Sequence, residues 1–497
     1  MNHAMHDFTD QIDLASERLG GAVLYANDEF FAEKENLLRP DAPVFLEGKY
    51  TDRGKWMDGW ESRRRRVPGN DFALVRLGLA GSIRGVVIDT AFFRGNYPSH
   101  AAISACAARA DASPEELLSD RTRWVEILPK SPLSGDSKNA FAIAAPWRFS
   151  HLRLDIFPDG GVARFRVHGE AISGGLLGRH DLDLAAVEQG GMSLACSDMF
   201  FGERQNLLMP GRAANMGDGW ETRRRRGPGH DWNLVRLAVP GHLRAVEIDT
   251  NHFKGNYPDT AEVEGVLLPG ADVPALQTAT WTPVVPRTKL QAHTRHLFTE
   301  ELLSRGPFSH LRLSVYPDGG VSRLRAWGTP SDDGLRAARL RWLDTLAPAE
   351  AEARLLACNA SASWAKAMTA ARPFTDEDGL LAAATRLWAS SSDDDLRQAM
   401  AAHPRIGERT GGERENAEQA GTASADSGTL AALAAGNREY EAKFGHVYLV
   451  FATGKSAAEM LDILKDRLAR SPADELVTAR EEQRKITENR LRNLIAP

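Results

Sequence analysis

The chain has 497 residues, a length that calls for about three domains rather than one core. Its hydrophobic share of 42%, charged share of 26% and net charge of −6 exclude a wholly disordered chain and disfavour a generic nucleic-acid binder. The three cysteines are widely spaced, so a disulfide framework and a cysteine-based zinc site are not expected, and a reducing cytoplasm fits. The first 30 residues carry no apolar signal core, and no uncharged run approaches the length of a membrane span.

Two thirds of the chain repeats itself. Asp58–Arg66 (DGWESRRRR) and Asp218–Arg226 (DGWETRRRR) share eight of nine positions at an offset of 160. The same offset pairs Ile88-Asp89-Thr90 with Ile248-Asp249-Thr250, and Gly95-Asn96-Tyr97-Pro98 with Gly255-Asn256-Tyr257-Pro258. Further on, Ser150–Leu154 meets Ser309–Leu313, and Pro158-Asp159-Gly160-Gly161-Val162 meets Pro317-Asp318-Gly319-Gly320-Val321. Upstream the offset is 170, so the first copy carries ten extra residues around 40–57. Units of this size are duplicated domains, not turns of a solenoid.

Each copy reads as β-rich. Leu152, Leu154 and Ile156 alternate with charged residues, as do Phe165 and Val167, which is the period of a half-buried strand. The intervening Pro-Asp-Gly-Gly predicts hairpins over 150–168 and 309–327. The architecture expected is two tandem all-β jelly-roll or galactose-binding-like sandwiches, over 1–172 and 173–330. A linker over 331–337 and an all-α domain over 338–497 follow. Nine of the 22 residues from Ala351 to Arg372 are alanine, and 475–494 is amphipathic. Glu408–Thr429 contains no Val, Ile, Leu or aromatic residue and predicts a long loop.

HExxH, GxxxxGK[ST] and GxSxG are all missing from the sequence. The repeated Arg cluster reads two ways. Planar guanidinium forks beside Asp and Glu suit a small carboxylate ligand, and they equally suit a structural ion-pair network copied by duplication. His252 aligns with Phe92, a difference between the copies, while His151 and His310 at matching strand positions read as packing residues. In the last third the sharpest elements are His403-Pro404-Arg405-Ile406-Gly407, Glu418-Gln419, Lys443–Leu449 and Thr453-Gly454-Lys455-Ser456. A histidine, a carboxylate and a cation suit acid–base work on a carboxylate substrate.

The doubled DGWE[ST]RRRR, IDT and GNYP blocks over 20–330 closely resemble allantoicase, a family that splits allantoate into ureidoglycolate and urea. The segment 338–497 resembles 2-oxo-4-hydroxy-4-carboxy-5-ureidoimidazoline (OHCU) decarboxylase through CNASASW at 358–364, RPF at 372–374, HPRIG, the Glu-Gln pair, KFG and GKSAAEML. Together they imply a bifunctional hydrolase and carboxy-lyase of purine and ureide catabolism. The second resemblance places the catalytic histidine on His403 and its partner on Glu418. It places substrate contacts on Pro404, Glu415, Gln419, His446, Tyr448, Val450 and Lys455. The chain departs from that family's usual pattern at Glu415, where serine is common, and at His446, where an aromatic is usual; Lys455 matches its basic position only loosely. No cofactor is implied for decarboxylation, because the neighbouring carbonyl takes up the electron pair that CO₂ leaves behind.

For the hydrolase, the first resemblance implies Arg223 or Arg224 for the carboxylate, and Asp218, Glu221 or Asp249, with Asn256, for the ureido groups. A divalent metal such as Mn²⁺ is compatible with such an enzyme, although no compact ligand set marks it. The partners expected are small ureide substrates and a second copy of the chain, in a cytoplasmic homo-oligomer that binds neither nucleic acid nor membrane. The alternatives are that the tandem sandwich is a non-catalytic binding module, or that the decarboxylase half is inactive.

Overall fold

The computed structural model describes residues 7–173, 178–407, 418–422 and 425–497. One unit runs to Ala347 and a second spans Pro348–Ala496.

Each repeat is organised by one 19-residue strand, Asp71–Asp89 in the first and Asp231–Asp249 in the second. Its first half pairs with Arg148–Phe157 on one side and Ala22–Ala26 on the other. Its second half pairs with Arg164–Ala171 and Lys138–Ala142. The strand therefore leaves one sheet and enters the other, and the two layers close on a shared apolar interior. The change falls where regular pairing lapses, between Arg76 and Gly81 in the first copy and between Arg236 and Gly241 in the second. A Cβ on Gly81 would lie 2.0 Å from the Glu170 carbonyl oxygen, so glycine is required there. Pro240, which has no N–H to give, occupies the same bend in the second copy.

The expected hairpins do not form. Arg148–Phe157 and Arg164–Ala171 each pair with the long strand rather than with each other. The Pro-Asp-Gly-Gly segment instead carries the chain from one sheet to the other. Gly160 has a φ of 139°, open to glycine, and a Cβ on Gly161 would lie 2.0 Å from the Phe93 ring. Gly161–Val162 then pairs with Trp60–Glu61, so the two repeated motifs meet. The second copy reproduces this with Gly320–Val321 on Trp220–Glu221, beneath Phe253.

Trp60 and Trp220 are fully buried, and each indole N–H donates 2.8 Å to a backbone carbonyl, of Asp28 and Asp198 respectively. One apolar core runs through both repeats and includes Leu335 of the helix Asp332–Thr345. The residues expected as a linker, 331–337, thus cap and open this helix, and the division between units falls after Ala347. Glu170 of the first repeat fastens the junction through Arg236 of the second at 3.2 Å, and through Arg341 of the helix. Burial pushes the Glu170 carboxyl up, but Arg236, Arg341 and Arg84 together outweigh it and hold it at about 2.

The second unit is helical, as the alanine-rich composition anticipated. Pro348–Asn359, Ala362–Ala370, Glu377–Ala389, Asp393–Ala401, Ser427–Phe444, Ala457–Leu468 and Pro472–Ile495 are its described α-helices. Of the predicted loop, 420–422 forms a 3₁₀ turn and 427–429 opens a helix, while 408–417, with Glu415, lies outside the described residues. Among the described residues, no helix is long and apolar enough to cross a membrane. All three cysteines are free thiols.

His151 and His310 are buried at 0% and 1% exposure, each with Nδ1 2.9 Å from the hydroxyl of the preceding serine. Burial pushes both imidazoles down to about 4, and Arg76 and Arg236 push the same way. A group depressed on folding contributes stability that is complete above its unfolded value near 6.5 and is lost as pH falls toward 4. Chemical denaturation should show stability falling over that window by up to about 2 kcal/mol per histidine at pH 5. The double variant His151→Gln/His310→Gln should flatten the slope.

Candidate functional sites

In the helical unit a pocket forms where three segments meet. His403 and Pro404 follow the end of Asp393–Ala401, Glu418 and Gln419 come from the other side of the polar segment, and Tyr448–Thr453 supplies an extended wall. Ile486 and Asn489 of the last helix close it. Of the positions carried over from the decarboxylase family, His403, Pro404, Glu418, Gln419, Tyr448 and Val450 all line this pocket.

Glu418 is held by Arg490, whose Nε and Nη2 each donate to one carboxylate oxygen at 2.7 Å. The Arg490 side chain is only 6% exposed. This bidentate fork fixes the plane of the carboxylate as well as its charge. Gln419 is fixed by the Gly407 N–H, which donates to its Oε1 at 2.9 Å. The wall 448–453 belongs to no sheet, so side chains satisfy its backbone instead. Arg467 donates to the Leu449 carbonyl at 2.6 Å, and the Phe451 N–H donates to Glu482 at 2.6 Å. Arg467 is itself buried against Glu475, which also accepts from Tyr440.

Two other predicted positions stand apart from the pocket lining. The His446 ring packs edge-on against Tyr440 at 5.5 Å, and Lys455 donates 2.8 Å to the Phe451 carbonyl. Arg490 escaped sequence reasoning, although a signal existed: it sits four residues after Ile486, on the apolar face of an amphipathic helix.

In the tandem sandwich the repeated Arg cluster is largely an ion-pair network. Arg223 donates through its backbone N–H and Nε to Asp198, both at 2.8 Å, as Arg63 does to Asp28 in the first copy. The third arginine of each run, Arg65 or Arg225, pairs with the buried Asp71 or Asp231. Arg224 is exposed and makes no ion pair among the described residues. Asp249 is buried and accepts the Asn251 N–H at 2.8 Å, which ties down the turn after the long strand. Asn256 donates to Glu221, the counterpart of the Asn96–Glu61 pair. Asp218 sits at the junction of the repeats, paired with Arg323 at 3.1 Å and with Arg18 of the first copy. The six positions are thus distributed over several places. His252 and its counterpart Phe92 share a left-handed backbone, with φ of 69° and 68°. Between the repeats lies a cleft of about 700 Å³ with strongly charged walls.

A tandem β-sandwich joined to a helical unit whose pocket holds histidine and a clamped glutamate defines a two-part enzyme. The Allantoicase repeat family profile matches residues 12–172 and 182–331, and the OHCU decarboxylase profile matches 344–492. The chain is 47% identical to a probable allantoicase of Photobacterium profundum over 330 residues, 66% of this chain and 98% of that one. It is also 47% identical to one of Pseudomonas fluorescens, over 65% of this chain and 98% of that one. Among solved structures it is similar to the allantoicase of Saccharomyces cerevisiae, with 36% identity and a TM-score of 0.53 over 64% of this chain and 92% of that one. The chain belongs to the allantoicase family and carries an OHCU decarboxylase domain at its C-terminal end.

Arg490→Lys keeps the charge but loses the fork. It should lower the decarboxylation rate at least about 10-fold, read as CO₂ release, with little change in helicity by circular dichroism.

Proposed function

We propose that this bifunctional enzyme performs its decarboxylation in the pocket of His403 and Glu418, and its hydrolysis of allantoate to ureidoglycolate and urea in the tandem sandwich. The single observation that carries the first assignment is the convergence of His403, the Arg490-clamped Glu418 and the extended 448–453 wall on one pocket.

The chemistry needs no cofactor. As the carbon–carbon bond to CO₂ breaks, its electron pair passes into the adjoining carbonyl, and a proton must then reach the carbon from one side. His403 delivers it, which sets the handedness of the allantoin formed, and Glu418 orients the reacting group from a position its arginine does not let it leave. The apolar Ile406, Val450 and Ile486 keep water from competing for the carbanion-like centre.

In allantoate hydrolysis, a water oxygen bonds to the central carbon, the bond to one ureido nitrogen breaks, and that nitrogen takes up a proton. Among the described residues no group of three or more His, Cys, Asp or Glu is arranged to hold a metal ion. The steps proposed here are written with protein groups. The two reactions are not consecutive, since allantoin must be ring-opened between them by a third enzyme. We further propose a cytoplasmic homo-oligomer without nucleic-acid partners; the free thiols fit the compartment, and the acidic net charge fits the lack of a nucleic-acid partner.

His403→Asn should reduce OHCU decarboxylation by about 10²–10⁴-fold while leaving urea release from allantoate within twofold of wild type. Parallel assays on the full chain check both. Retained decarboxylation would remove His403 from the mechanism.

A further inference from the structure

The cleft between the two repeats is built unequally by two copies that began alike. On the first-repeat side, the strand Arg164–Ala171 presents Arg166 and His168, and on the other side of the long strand Lys138 opens Lys138–Ala142. On the second-repeat side stands the segment that opens with Glu203.

The matching face of the second repeat is neutralised internally. Arg325, the counterpart of Arg166, lies across from Glu247 in the sheet, where the first copy has Val87. Glu247 is clamped by Arg295 through two bonds of 2.8 and 2.7 Å. Arg295 is the register equivalent of Lys138, opposite Asp249 as Lys138 is opposite Asp89. With Val87 in place of the glutamate, Lys138 is left exposed, and it forms no ion pair among the described residues. His168 is replaced by Trp327 in the second copy, each standing across from the equivalent aspartate, Asp13 or Asp183. Among the described residues, the first copy thus keeps on this face a cation without an ion pair and an imidazole, and Lys138 and His168 both line the cleft.

The remaining groups complement a ureide. Gln11 lines the cleft, and its buried Oε1 has no hydrogen-bond partner, an acceptor placed for an N–H. The His168 Nδ1 lies 2.9 Å from the Gln11 carbonyl, so the neutral ring donates there and presents Nε2 as an acceptor. Burial pushes the Glu203 carboxyl up, as does Asp10, against Arg204 and His168. A carboxyl shifted in this direction is a readier proton donor and acceptor near neutrality than an ordinary exposed one.

Resting on the allantoicase reading above, we infer that the inter-repeat cleft is the allantoate site. Lys138 binds the carboxylate, Gln11 receives a ureido N–H, and His168 with Glu203 moves the protons. The His168 Nε2 takes a proton from the attacking water as its oxygen bonds to the central carbon. Glu203 gives its proton to the ureido nitrogen as the carbon–nitrogen bond breaks, and urea leaves with that electron pair. Transfer of the proton from His168 to Glu203 restores the starting state.

The test uses the full chain and allantoate, with urea release as the readout and OHCU decarboxylation by the same preparation as the control for intact protein. Lys138→Met should raise KM at least 10-fold with kcat within threefold, because it removes an anchor and no proton carrier. Glu203→Gln, nearly isosteric, should lower kcat at least 100-fold and remove the limb of the pH profile that Glu203 generates, which a merely structural role would not do. Wild-type kinetics in both variants, together with loss of urea release in Glu221→Gln, would overturn the cleft assignment while leaving the allantoicase reading intact. A wild-type chain that decarboxylates OHCU but releases no urea from allantoate would overturn that reading, and the cleft assignment with it.

Discussion

The long strand that belongs to both layers of each sandwich is the constraint on which the rest of the first unit depends. Because Asp71–Asp89 and Asp231–Asp249 change sheets at mid-length, the strands on either side cannot pair with one another and must cross over. That crossing brings Gly161–Val162 against Trp60–Glu61, and the buried tryptophan then holds the loop bearing the arginines. The repeated motifs are, on this view, one mechanical assembly. Glycine is needed where two backbones touch, tryptophan where the interior is capped, and arginine where a buried aspartate must be neutralised.

Duplication supplies two such assemblies, and the differences between them carry the chemistry. An ion pair found at the same place in both copies, such as Arg63–Asp28 and Arg223–Asp198, maintains the fold in each. A position where one copy keeps its charge uncompensated is a different matter. The exchange of Val87 for Glu247 decides whether the facing cation is neutralised within its own sheet or left to meet a ligand. The junction of the two repeats is held by Glu170, which three arginines keep ionised well below the usual carboxylate range. That anchor draws the helix Asp332–Thr345 into the first unit.

The helical unit solves a different problem, which is to hold an extended segment where no sheet exists. Residues 448–453 are held by groups of the last two helices and by two side chains of their own stretch of chain. Arg467 and Lys455 reach carbonyls, Glu482 receives an N–H, and the Tyr448 hydroxyl donates to the Met460 carbonyl at 3.0 Å. The buried Arg467–Glu475 pair is costly to place in an apolar interior, and its hydrogen bonds to Tyr440 and the Leu449 carbonyl offset that cost.

Much of this was legible in the residues themselves. The offset of 160 revealed two domains, alternation revealed strands, alanine content revealed the helical unit, and the HPRIG and Glu-Gln blocks pointed to four side chains that share one pocket, to which the family resemblance added Tyr448 and Val450. These are local properties, set by periodicity and by short motifs whose chemistry depends on residue type. What local pattern could not show was pairing. A Pro-Asp-Gly-Gly between two alternating runs signals a turn whether the chain reverses within a sheet or crosses to another, and only the interior decides which. The clamp of Arg490 on Glu418 joins residues 72 positions apart. The charge left on Lys138 depends on a neighbour across the sheet. Sequence by itself determined which groups the protein owns and the elements they sit on; tertiary structure decided which of them face each other, because burial and ion pairing act between residues the chain keeps far apart.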